Sequence, residues 1–116
     1  MMRNAFGSIL LVVMFLPNPL TAQTLTLEAY QHPENETHGT MYQMYLAGVR
    51  DALTSYNVAI PEDERRFCLS PNLTITTHQA EDMMLRWAKR QTSNVDNIPI
   101  SSALLRSFEE MFPCSK

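Results

Sequence analysis

Few side chains in this sequence are suited to covalent or metal chemistry: two cysteines, Cys68 and Cys114, and three histidines, His32, His38 and His78. A catalytic thiolate needs a setting such as a helix N-terminus or a glycine-rich turn to lower its pKa. Neither cysteine sits in such a setting. A metal site needs ligands at paired spacing, and these five residues are scattered singly. Glu81 and Asp82 are adjacent and would point about 100° apart on a helix, which does not make an acid and base pair. His78 and Asp82 are four apart and could touch, which reads most simply as a solvent-exposed pair. The sequence has no phosphate-cradling glycine loop, no H-E-x-x-H and no nucleophile elbow. We therefore expect no catalytic residue, no cofactor and no metal.

The remaining use for the cysteines is with each other. An even count in a small exported domain favours a disulfide, and Cys68 with Cys114 would close a loop of 46 positions. The chain-entropy model assigns such a closure about 4 kcal/mol. A protein of this size buries a modest share of its surface, so a covalent staple would supply much of its margin.

Export is itself read from the N-terminus. Met1-Met2-Arg3-Asn4 is a short basic start, Ala5 to Leu16 is an uncharged apolar run, and Pro17-Asn18-Pro19 breaks it before Leu20-Thr21-Ala22. The run falls well short of the ~20 residues that cross a bilayer. The three-part pattern is that of a secretory signal peptide over residues 1–22, cleaved after Ala22. One domain, 23–116, remains, with no membrane span and an extracytoplasmic destination. The full sequence has a net charge of −3 at pH 7, and Arg3 is the one charged residue removed with the signal, so the domain is more acidic still. That charge argues against a nucleic-acid partner and permits a basic one.

Helical periodicity organises the domain. Gln23 to Gly39 is a polar lead-in that either forms a short helix ended by Pro33 or stays loose. From Thr40 to Tyr56, Tyr42, Tyr45, Leu46, Val49, Ala52, Leu53 and Tyr56 recur at intervals of three and four, which predicts an amphipathic helix. Gly48 lies inside it, either for a close helix contact or as a tolerated exposed glycine. Thr76-x-x-Gln79 reads as a capping box opening a second helix, Thr77 to Arg90, with Ala80, Met83, Met84, Trp87 and Ala88 on one stripe. Glu81 and Asp82 are expected in its first turn and Arg86, Lys89 and Arg90 in its last turns, matching the dipole. Pro99 opens a third helix, carried by Ile100, Ala103, Leu104, Phe108 and Met111 and stopped before Pro113. The fold class is all-α, a small bundle of three to four helices with one disulfide.

Two further features concern the surface. Asn35-Glu36-Thr37 and Asn72-Leu73-Thr74 fit the glycosylation sequon. Met41, Met44, Met83, Met84 and Met111 could form an adaptable binding face, but most fall on the expected core stripes and are assigned to packing.

Three segments, Tyr45-Leu46-Ala47-Gly48-Val49-Arg50-Asp51-Ala52-Leu53, Phe67-Cys68-Leu69-Ser70-Pro71-Asn72-Leu73-Thr74, and Ala103-Leu104-Leu105 through Met111-Phe112-Pro113-Cys114, together resemble the Rap/Tai immunity-protein family. Its members show an aromatic-x-x-Gly-x-x-Asp-Ala-Leu helix, a Cys-x-Pro-x-x-Thr turn and a terminal Phe-Pro-Cys. Here the turn's proline is displaced by one position. The resemblance covers Tyr42 to Cys114. It implies a periplasmic, helical protein, often dimeric, that binds a peptidoglycan amidase effector of a type VI secretion system and blocks its cleft with a protruding segment. The most charged connector, Pro61 to Arg66, is the candidate segment, with Glu62, Asp63, Glu64 and Arg65 as partner-binding residues. The alternative is a small periplasmic chaperone of the acid-stress type, which would share the export signal, the disulfide and the helices.

Overall fold

The computed structural model describes residues 24–115. The signal peptide expected over residues 1–22 lies outside the described residues. Four α-helices form among the described residues: α1, Leu27–Gln31; α2, Glu36–Ala59; α3, Thr77–Arg90; and α4, Ile100–Met111. Between α2 and α3 a single 3-10 turn covers Glu62–Glu64. Among the described residues no strand forms beyond an isolated bridge between Thr26 and Pro99, so the all-α expectation holds. No described helix is long and apolar enough to cross a membrane.

The capping signal that opens α3 is satisfied. Thr76 Oγ1 accepts from Gln79 N–H at 3.1 Å and Gln79 Oε1 accepts from Thr76 N–H at 2.9 Å, the reciprocal capping box that occupies two orphan donors. Ala80, Met84 and Trp87 are buried on one stripe. The acidic residues differ from expectation: the first turn holds none, because Thr77 to Ala80 occupy it. Glu81 and Asp82 fall in the second turn, where the dipole is weaker. Asp82 instead pairs with Arg86 at 3.1 Å, not with His78.

α3 packs most extensively on α4, and α2 contacts both. Leu46 from α2, Met84 and Trp87 from α3, and Ala103, Leu104 and Phe108 from α4 meet in the core. Each large apolar side chain fully withdrawn from water contributes about 1.5–3 kcal/mol. The lead-in takes the helical option. Thr26 Oγ1 accepts from Ala29 N–H, Leu27 N–H donates to Ile98 O, and Ile100 N–H donates to Leu25 O. These bonds lace the lead-in to the loop before α4, with Leu27 and Tyr30 buried beneath.

α2 departs most from the sequence expectation. It starts at Glu36 and not Thr40, because Asn35, read in the sequence as part of a sequon, is its N-cap and accepts from His38 N–H at 2.9 Å. Gly39 then falls inside the first turns, where a Cβ would meet the Pro33 ring at 3.6 Å. The helix also has a second apolar side. Leu46 is buried and Tyr42, Val49 and Leu53 are half-buried against the core, whereas Tyr45, Ala52 and Tyr56 are exposed. Met41, Met44 and Met111 are exposed too, so the assignment of the methionines to the core holds for Met84 and, in part, Met83 alone. Gly48 makes no close contact: a Cβ there would meet nothing within 4 Å.

Candidate partner-binding site

Pro61 cannot continue α2, and the backbone leaves the helix through Ile60 in an extended conformation. Glu64 N–H donates to Pro61 O at 2.9 Å and Arg65 N–H to Glu62 O at 3.3 Å, closing a tight turn. Glu62, Asp63 and Glu64 are all exposed on its outside. Among the described residues none of these three carboxylates takes part in an ion pair. Three like charges on one knuckle repel each other, and water and salt screen the repulsion until a cationic surface arrives.

Arg65 is not part of the same display. Its guanidinium turns back onto α2, with Nε donating to Ile60 O at 3.2 Å and an Nη donating to Val58 O at 3.3 Å. Those carbonyls are orphan acceptors at the helix end, so the Arg65 guanidinium caps the C-terminus of α2. This sets Arg65 apart from the three acids, which face outward on the knuckle.

The base of the knuckle is firmly held. Arg66 pairs with Glu109 of α4 at 3.1 Å, and Phe67 is buried against Phe108, ring centroids 5.2 Å apart. The buried Asn57 side chain donates to Phe67 O at 2.8 Å. Cys68 and Cys114 form the expected disulfide, Cα atoms 4.9 Å apart, and Cys68 N–H donates to Phe112 O at 2.8 Å. An exposed acidic turn on a stapled, aromatic-packed base presents its charges without a large ordering cost on association.

Two further features of the domain are not legible in the sequence. A groove of about 610 Å³ runs between the C-terminal half of α2 and the segment Leu69 to Thr77, floored by Val58, Leu69, Leu73 and Ile75. Arg50 spans its far side, donating to Thr77 Oγ1 at 2.8 Å and to Asp51. At the opposite end of the domain the Tyr30 hydroxyl donates to Glu81, tying α1 to α3 beside a polar recess lined by Gln31, Glu36, Thr40 and Gln43. Burial, and secondarily the bond to Glu81, push the Tyr30 phenol far above its ordinary value. Its proton stays in place at any physiological pH. No described group of three or more His, Cys, Asp or Glu residues is placed to hold a metal ion.

No curated protein and no solved structure matches the sequence. A family model does: that of the Rap1a immunity proteins, over residues 20–114. The match takes in every helix among the described residues and both cysteines, and with it the chain belongs to the Rap1a immunity protein family.

Proposed function

We propose that the protein is a periplasmic immunity protein that binds a type VI secreted peptidoglycan amidase effector and inhibits it by covering its active site. The family match over residues 20–114 carries this reading. Immunity of this kind requires a specific, tight surface and no catalytic group. The charged knuckle supplies the contact: Glu62, Asp63 and Glu64 are the exposed carboxylates that engage basic groups around the amidase cleft. Export by residues 1–22 and action in the periplasm belong to the same proposal, since an amidase that cuts the wall must be met where the wall is.

The test is affinity for a cognate amidase with Glu62, Asp63 and Glu64 all replaced by alanine. Rim charges act mainly through association rate and salt dependence. The triple variant should associate at least tenfold more slowly at low salt, with a flatter salt dependence, while its thermal unfolding is unchanged. Unchanged affinity and association rate would remove the knuckle from the interface. Failure of the native protein to inhibit any wall amidase encoded beside it would remove the reading as a whole.

A further inference from the structure

The first turns of α2 gather one imidazole and two thioethers that folding leaves unused. His38, Met41 and Met44 follow one another at intervals of three, and residues three apart on a helix are neighbours, with Cβ atoms about 5–6 Å apart. Helical side chains lean toward the N-terminus, the direction that carries the Met44 sulfur toward Met41 and the Met41 sulfur toward His38. Met41 and Met44 are 56% and 69% exposed, so neither thioether is committed to the core. The unbranched methionine side chain adapts readily to the position of a ligand.

The imidazole is already held for ligation. Its Nδ1 is enclosed, makes no hydrogen bond and stands 3.6 Å from a Glu34 carboxylate oxygen. The ring lies nearly parallel to that of Tyr42, centroids 6.2 Å apart. A metal-bound histidine gives one ring nitrogen to the metal and points the N–H of the other at a carboxylate, carbonyl or water, which fixes its tautomer and orientation. Glu34 is placed to take that part toward Nδ1, and among the described residues Nε2 takes part in no hydrogen bond. The local charge also suits a cation. From Gln23 to Val49 the sequence has no lysine or arginine, and Glu34 and Glu36 stand within four residues of His38.

We infer that His38 Nε2 and the sulfurs of Met41 and Met44 bind a soft monovalent cation, Cu(I). Zn(II) is held by thiolate, imidazole and carboxylate, and no group of three such residues is gathered among the described residues. Neutral thioether sulfur suits Cu(I) instead. Two sulfurs and a neutral imidazole leave the ion its positive charge, which the two glutamates offset. The inference does not rest on the inhibitor reading, because it needs no effector.

Anaerobic titration of the purified protein with Cu(I), in competition with a chromophoric Cu(I) chelator, tests it. The native protein should withdraw one Cu(I) per chain. Met41→Leu and Met44→Leu remove the sulfur and nearly keep the volume. Each of them, and His38→Asn, should raise the dissociation constant at least about tenfold, the scale already lost when only a ligand's hydrogen-bond partner is removed. Without metal the two leucine variants should melt as the native protein does, since both side chains lie largely in water. X-ray absorption at the copper edge should show two sulfurs and one nitrogen around the ion. A native protein that withdraws no Cu(I), a triple variant that binds it as tightly as the native protein, or a copper shell of nitrogen and oxygen alone would overturn the site. So would Zn(II) bound as tightly as Cu(I), which would assign binding to the imidazole and carboxylates and not to sulfur.

Discussion

α3 and α2 sit in the same core and obey different rules. α3 has one apolar stripe, buried, a complete capping box at its start and basic residues in its last turn. α2 is longer, capped by a single asparagine, and carries apolar side chains on two sides, one against the core and one in water. Every apolar residue of α3 that faces inward is explained by folding. The outer methionines and tyrosines of α2 are not, since burying Leu46, Val49 and Leu53 already secures the helix. Those outer side chains add nothing to the packing of the core.

If that division is right, substitutions on α3 must be costly and those on the outer side of α2 nearly free for the isolated protomer. Trp87, 4% exposed in the middle of the α3 stripe, should show the largest effect. Trp87→Ala is expected to cost about 3–5 kcal/mol, read as a lowered urea midpoint at unchanged slope. A loss below ~1 kcal/mol would mean that α3 is not the keystone of the core. The disulfide ranks next. Joint replacement of Cys68 and Cys114 by serine should cost about 2–4 kcal/mol and loosen the segment from Arg66 to Leu69 ahead of α3, visible as faster amide exchange there.

Tyr30 tests how α1 is attached to α3. Its phenol stays protonated in the folded state above its ordinary value of 10.0 but ionises in the unfolded chain, so the unfolded state releases a proton that the folded state keeps. Stability from this group is therefore complete below pH 10 and is lost as pH rises past it, by about 1.4 kcal/mol per pH unit. Tyr30→Phe should cost about 1 kcal/mol at neutral pH and should lose stability less steeply than the native protein above pH 10. Parallel curves for the two proteins would show that the phenol is not buried against Glu81. Thr76→Ala, which removes half of the capping box, should cost about 1 kcal/mol and fray the start of α3 alone.

These contrasts also explain what can be read without a structure. Thr76 with Gln79, Pro99 and Pro113 are local signals: each satisfies or denies backbone bonds within a few residues, and the helix bounds they imply match α3 and lie within a residue of α4. The start of α2 escapes such a reading because Asn35 suits both a sequon and an N-cap, and because Pro33 and Gly39 look like punctuation until the proline ring is seen packed on the glycine. The acidic knuckle is legible from Pro61 and the run of charges that follows. Arg65 is not, because its partners, the carbonyls of Val58 and Ile60, become acceptors in need only where α2 ends in space. Periodicity alone likewise cannot tell the two apolar sides of α2 apart, since both repeat every three to four residues and only packing decides which one meets α3 and α4.

The smallest expected effect is the most discriminating. Met44→Ser and Tyr56→Ser remove the two most exposed large side chains of α2, which touch no core, so at high dilution stability should change by no more than about 0.5 kcal/mol, the range of ordinary surface changes. Leu46, close to Met44 in sequence and wholly buried, should cost about 2–5 kcal/mol as Leu46→Ala under the same conditions. An outer-side variant that unfolds early would place those side chains in the fold of the single protomer and erase the distinction between the two sides of α2.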